Sequence, residues 1–345
     1  VNLRHLHALS DDTGILQHGV FGLADRTHGY CVDDNARALL VCLALELQKD
    51  DFATAALADR YAAFLHHAWN PDAGRFRNFM DYSRNWLDAW GSEDCHGRAV
   101  WALGACASLS TAPAKRAWAV WLIEQALAAP AAFQSPRAWA FTLLGIDALG
   151  RRHALIKRAS DLRAKLAAAL LNCLAHAERA DWAWFEGSLS YDNARLCQAL
   201  IVTGQTLSSA DLVDAGLRTL RWLLSVQLKA TGPFVAVGTH GFGALWAAPA
   251  PFDQQPLEAA AMIAACAAAA RVDTTFDWRS AATKIFAWYH GDNMIGQSLI
   301  DPEDGACCDG LHPDRVNQNR GAESILSYLL AACDMKALTS TSVGP

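Results

Sequence analysis

Three acidic stretches carry the residue types that chemistry would need: Asp33-Asp34, Glu93-Asp94 and Glu186. Cleaving a glycosidic bond takes two carboxyl groups, one on each side of it. One protonates the leaving oxygen; the other activates water or attacks directly. Asp34, Asp94 and Glu186 are the leading candidates for these roles. Glu186 lies in Trp184-Phe185-Glu186-Gly187, and apolar neighbours suit a proton donor. Asp and Glu also cap helices and pair with arginines, so a purely structural role stands beside the catalytic one for each. Aromatics crowd the same stretches, among them Phe79, Tyr82, Trp86, Trp90, Trp182, Trp184 and Tyr191. A sugar ring has an apolar face and a rim of hydroxyls, which flat aromatics mixed with polar side chains would match. The residues expected to bind substrate are Tyr30, Asp33, Asn35, Arg37, Trp90, Glu93, His96, Arg98, Trp184, Tyr191, Asp192, Arg195, Gln254, Gln255, Glu258, Asp309, Asn319 and Glu323.

The elements that must position these residues are helices. Apolar residues recur with helical period over 1–9, 33–48, 51–69, 94–109, 113–129, 136–149, 152–178, 191–204, 209–229, 255–270, 275–290 and 320–335. Turn signals separate them, such as Asn70-Pro71, Gly150 and Thr231-Gly232-Pro233. The links alternate between short and long. Short links make antiparallel hairpins, so the long ones (10–32, 70–93, 179–190, 230–254 and 291–319) gather at one end. Even-numbered helices share a first-turn position, which holds Arg37, Arg98, Arg137 and Arg195, then Glu258 and Glu323. Asp34-Asn35-Ala36-Arg37 and Asp192-Asn193-Ala194-Arg195 repeat the same four residues, in hairpins expected to face each other across a ring of six. The even helices are also the more apolar set, as interior helices must be. A repeated two-helix unit means a solenoid or a closed toroid. The long, dissimilar loops at one end favour the toroid: an all-α (α/α)6 barrel, six inner and six outer helices, forming a single domain over 1–345. The first helix is only about two turns, so the chain is expected to begin inside it.

The chain has 345 residues, 52% of them hydrophobic and 19% charged. That excludes disorder. Mean hydropathy is +0.08, and charged residues interrupt the apolar runs, so neither a membrane span nor a membrane partner is expected. The net charge of −6 is diffuse, which argues against a nucleic-acid partner. Six of the ten cysteines sit inside helical runs and read as buried thiols; a reducing cytoplasm is the simplest location. Cysteine and histidine spacing suggests no metal site. Gly238-Thr239-His240-Gly241-Phe242-Gly243 lacks the strand-before, helix-after context of a dinucleotide loop. No cofactor is therefore expected.

Several stretches together resemble a bacterial family of (α/α)6-barrel, glycosidase-like domains. They are Asp12-Thr-Gly-Ile-Leu-Gln-His18, His28-Gly-Tyr-Cys-Val-Asp-Asp-Asn-Ala-Arg37, Ser92-Glu-Asp-Cys-His-Gly-Arg98, Trp184-Phe-Glu186, Tyr191-Asp-Asn-Ala-Arg195, Phe252-Asp-Gln-Gln-Pro-Leu-Glu258, Cys308-Asp-Gly-Leu311 and Asn319-Arg-Gly-Ala-Glu-Ser324. Such domains stand alone or are joined to group-1 glycosyltransferases. The resemblance covers nearly the whole chain. It implies the barrel, carbohydrate processing and a glycosyltransferase as partner. More distantly the chain is similar to six-hairpin glycosidases and to the N-acylglucosamine 2-epimerase superfamily.

The expectation is thus a glycoside hydrolase acting on a neutral manno- or gluco-oligosaccharide, by an inverting two-carboxylate mechanism. Three alternatives stay open. A sugar epimerase or isomerase would use loop histidines such as His28 or His96 as acid–base groups. A non-catalytic glycan-binding module would bind without turnover. The ring of arginines leaves room for acidic sugars, cleaved by hydrolysis or by lyase chemistry.

Overall fold

The computed structural model describes residues 1–48, 54–241 and 245–340. Among them are twelve α-helices: α1 (Arg4–Leu9), α2 (Val32–Gln48), α3 (Thr54–Ala68), α4 (Glu93–Leu109), α5 (Pro113–Ala126), α6 (Pro136–Gly150), α7 (Lys157–Ala177), α8 (Ala194–Leu207), α9 (Ala210–Gln227), α10 (Pro256–Ala269), α11 (Trp278–Ala287) and α12 (Ala322–Ser340). Each answers to one of the twelve segments expected from periodicity. The expected start of the third, at 51, lies outside the described residues.

Contacts divide the chain into two compact units. One is Leu6–Ala169. In it α2, α4 and α6 pack side by side in that order, with α3 against α2 and α5 against α4. The inner and outer roles follow from composition. Nearly all of α6 from Arg137 to Leu149 is buried, whereas α5 buries only Ala119, Leu122, Ile123 and Ala126. Glycine brings α4 and α6 together. A Cβ on Gly104 would lie 2.0 Å from the Gly145 carbonyl oxygen, and one on Gly145 would lie 2.6 Å from that of Val100. No larger residue permits this approach.

The other unit is Val1–His5 with Leu170–Pro345. Here α10 packs between α8 and α12, α9 lies on α8, and α11 touches α10 and α12. Every residue of α10 is buried, as an alanine-rich helix surrounded by others must be. The first residues of the chain belong to this unit. His5 donates its backbone N–H to Asp304 (3.0 Å) and its ring Nε2 meets the Arg320 carbonyl at 2.8 Å.

The long links lead to the N-termini of the inner helices α2, α4, α8, α10 and α12, and a shorter one leads to that of α6. Two of them carry short strands that periodicity did not reveal. β1 (Leu16–Val20) and β2 (Leu23–Cys31) form a hairpin, and β5 (Phe79–Met80) adds to β2 with Tyr30 opposite Met80 and Cys31 opposite Phe79. Between them, β3 (Trp69–Asn70) pairs with β4 (Arg75–Phe76). The chain enters α2 directly from β2, so the sheet fixes where Asp33 and Asp34 begin.

Candidate functional site

In the Leu6–Ala169 unit, the first turns of α2 and α4 hold four carboxylates. Asp34 is buried. It pairs with Arg37 one turn on (3.0 Å) and accepts the Cys31 thiol proton at 3.0 Å. Burial, and then the charges of Asp34 and Asp33, keep that thiol protonated. Asp33 points differently. Its carboxylate meets Arg98 Nε on α4 at 3.2 Å, and its side chain keeps 21% of its exposure. Arg98 itself is buried, with its guanidinium 4.0 Å from the centre of the Phe141 ring. Glu93 accepts the backbone N–H groups of Gln134 and Ser135, both at 2.7 Å, at the start of α6. A helix N-terminus leaves such donors free, so Glu93 serves as a cap supplied by the neighbouring helix. Asp94 accepts the Ser135 hydroxyl at 2.6 Å and is half-buried.

Several residues expected to bind substrate are instead buried ties of the scaffold. Asn35 accepts from the Ile15 N–H and donates to the Cys31 carbonyl. Tyr30 donates its hydroxyl to Asp11. His96 is the sharpest correction. It is wholly buried among Trp69, Phe76 and Phe133, and its Nε2 meets the Ala126 carbonyl at 2.9 Å. Burial pushes its pKa down to about 3, so the ring stays neutral and out of reach of a substrate. His28 is exposed beside His18 and Asp25.

In the other unit, Asp192 and Arg195 form a buried pair at 3.3 Å. Glu258 accepts from the Asp192 N–H and from Asn193 Nδ2. It therefore locks the start of α8 onto α10, and it too is buried. Gln254 is fully buried and takes the Trp288 indole proton at 2.8 Å. Trp184 is fully buried between Phe185 and Trp222. Each was expected at the substrate; burial places each in the framework. Asp309 accepts from Asn319, from Ser324 and from the Gly321 N–H at the start of α12. Burial pushes its pKa up to about 6, against the pull of those donors. Glu186, Gln255, Asn319 and Glu323 are half-buried, and Tyr191 is exposed.

Sequence reasoning passed over one further arrangement. His312 Nδ1 lies 2.7 Å from Asp253 Oδ1, and His240 Nε2 lies 3.9 Å from the other oxygen. A carboxylate on one ring nitrogen leaves the other aimed and ready to move a proton. The three residues lie far apart in sequence, so only the folded loops bring them together. Among the described residues no group of histidine, cysteine or carboxylate side chains is placed to hold a metal ion. No described helix is long and apolar enough to cross a membrane.

No protein-family model matches this chain, and neither does any curated protein. Solved structures do. A sugar epimerase from a ruminal bacterium is 12% identical, with 98% of this chain and 95% of that one covered and a TM-score of 0.74. Cellobiose 2-epimerase from Spirochaeta thermophila is 13% identical over 98% and 93%, with a TM-score of 0.73. A GH76 α-1,6-mannanase from a Salegentibacter species is 10% identical over 97% and 96%, with a TM-score of 0.64. That structure is an inactive variant in complex with α-1,6-mannotriose, in which two adjacent aspartates are changed to asparagine. Epimerases and mannanases of this kind share the six-hairpin barrel. The likeness spans nearly the whole chain, and it gives the protein the all-α, (α/α)6-barrel fold.

Proposed function

We propose that the protein is a glycoside hydrolase acting on a neutral manno- or gluco-oligosaccharide, with Asp33 and Asp94 as its acid–base pair. One observation carries this reading: two partly exposed carboxylates, Asp33 and Asp94, stand on the first turns of adjacent inner helices. Asp33 takes the role first given to its neighbour Asp34, whose carboxylate is buried in ion pairing. Packed helices lie about 8–10 Å apart. Inversion requires carboxyl groups about 6.5–9.5 Å apart, with room for water. In this scheme one carboxyl protonates the leaving oxygen while the other draws a proton from water attacking the opposite face. The Asp33-Asp34 pair at the head of α2 adds support, since paired aspartates are what the inactive mannanase variant lacks. Glu186 remains a third candidate carboxylate. Ten free cysteines suit a reducing compartment such as the cytoplasm.

The test is a mass-resolved product screen on gluco- and manno-oligosaccharides. Products that together weigh one water more than the substrate are expected, with NMR of the fresh anomer reporting inversion. Full activity in both Asp33→Asn and Asp94→Asn would sink the assignment.

A second reading rests on the His312–Asp253 pair and on the epimerases and isomerase among the similar structures. In it, His312 removes a proton from the carbon beside an open-chain sugar's carbonyl and returns it, leaving the mass unchanged. Conversion abolished by His312→Gln, and untouched by Asp33→Asn, would favour it.

A further inference from the structure

Two large aromatic side chains stand exposed in the segment that leads from β5 into α4. Phe79 is 43% exposed and Trp90 is 60% exposed. Leaving such rings in water forfeits the hydrophobic gain of burial, and neither is held there by chance flexibility. Phe79 pairs with Cys31 across β5 and β2. Directly opposed residues share a face, with Cβ atoms about 5 Å apart. The Cys31 thiol on that face reaches Asp34, so Phe79 stands on the side of the sheet that meets the first turn of α2. The loop between them is pinned. Asp88 accepts the N–H groups of Asn78 (2.8 Å) and Phe79 (3.1 Å), Leu87 donates to the Phe79 carbonyl, and Gly91 donates to that of Phe76. Trp90 lies at the end of this loop, two residues before Ser92 caps α4.

We propose that Phe79 and Trp90 are stacking surfaces for successive rings of an extended neutral oligosaccharide whose reacting bond lies at Asp33 and Asp94. This rests on the reading of those carboxylates as a sugar-processing site. The rings offer flat apolar faces for the C–H faces of pyranoses. Asp88, bound to the Phe79 N–H, adds negative charge on this segment and disfavours an acidic sugar. Two rings on one pinned loop imply a substrate longer than a disaccharide.

Binding is separated from turnover by working in the Asp33→Asn background. Calorimetric titration with manno- and gluco-oligosaccharides of one to five units is expected to show affinity rising with length. Phe79→Ala weakens binding about tenfold, the worth of one aromatic contact, while Phe79→Trp retains it. Trp90→Ala causes a loss that grows with chain length. Thermal melts confirm that each variant folds. Unchanged binding in both alanine variants overturns the platform, as does Phe79→Leu binding as well as Phe79→Trp, or an absence of any length dependence. Length-dependent binding by a wild-type protein that cleaves none of these sugars upholds the platform and rejects hydrolysis. Cleavage indifferent to both alanine substitutions does the reverse.

Discussion

The tetrapeptide Asp-Asn-Ala-Arg occurs twice, at 34–37 and at 192–195, and the two copies are built differently. In the first, Asp34 already lies inside α2. In the second, Asp192 has a left-handed φ of 50° and α8 begins only at Ala194. Both keep the aspartate–arginine pair one turn apart and buried. Both asparagines bond back to the loop before them, Asn35 to Cys31 and Asn193 to Ser190. The repeated residues are therefore a clasp that fixes a helix start. What differs is the residue just before the clasp, which faces outward: Asp33 in one copy, Tyr191 in the other. The repeat marks the scaffold, and the neighbour is free to vary.

The largest effect should come from setting neighbour against clasp. Asp33→Asn and Asp94→Asn are expected to lower kcat on a cleaved oligosaccharide by about a thousandfold, roughly 4 kcal/mol, with melting temperatures nearly unchanged. Steady-state kinetics beside calorimetry reads both. The clasps should behave in the opposite way. Asp34→Ala or Asp192→Ala takes the paired carboxylate from a buried arginine and should cost about 3–5 kcal/mol of stability in urea unfolding. If Asp34→Ala spares stability and abolishes rate, the division of roles is wrong.

A smaller effect tests the backbone-bound carboxylates of the second unit. The Asp309 pKa lies near 6 in the folded protein, above its ordinary 3.8. The folded state thus holds that proton more tightly than the unfolded chain. Its contribution to stability is complete below about pH 4 and is lost as pH rises through 6. Asp309→Asn should flatten that decline in denaturation curves between pH 4 and 7; an unchanged slope would assign the decline to other groups. Smallest of all, Tyr191→Ala should weaken oligosaccharide binding by up to tenfold, about 1 kcal/mol, without altering kcat.

The helices and their pairing were legible because burial imposes a period on sequence, and α10 is as apolar as its wholly enclosed position demands. The site was only partly legible. The first-turn position of Arg37, Arg98 and Arg195 was visible, but which arginine an acidic residue meets depends on side-chain direction over a single residue: Asp34 is buried on Arg37, while Asp33 reaches Arg98 on α4 and keeps 21% of its exposure. His96 looked like a loop histidine because its Trp69, Phe76 and Phe133 walls come from distant segments. The β1–β2 hairpin was hidden because its exposed residues, Arg26 to His28, break any apolar alternation. His312 and Asp253 are 59 residues apart, and no local pattern announces such a meeting.

The partnership of His5 with Asp304 and Arg320 bears on how the chain is made. Synthesis runs from the N-terminus, so His5 leaves the ribosome about three hundred residues ahead of its partners Asp304 and Arg320. The 6–169 unit, by contrast, has its own partners in hand once residue 169 has emerged. His5 must wait for its partners through the translation of some three hundred residues. At a synthesis rate of about 5–20 residues per second that is roughly 15–60 seconds. Through that interval the contacts of His5 with Asp304 and Arg320 cannot form, so the unit that holds residues 1–5 is completed only after both have been made.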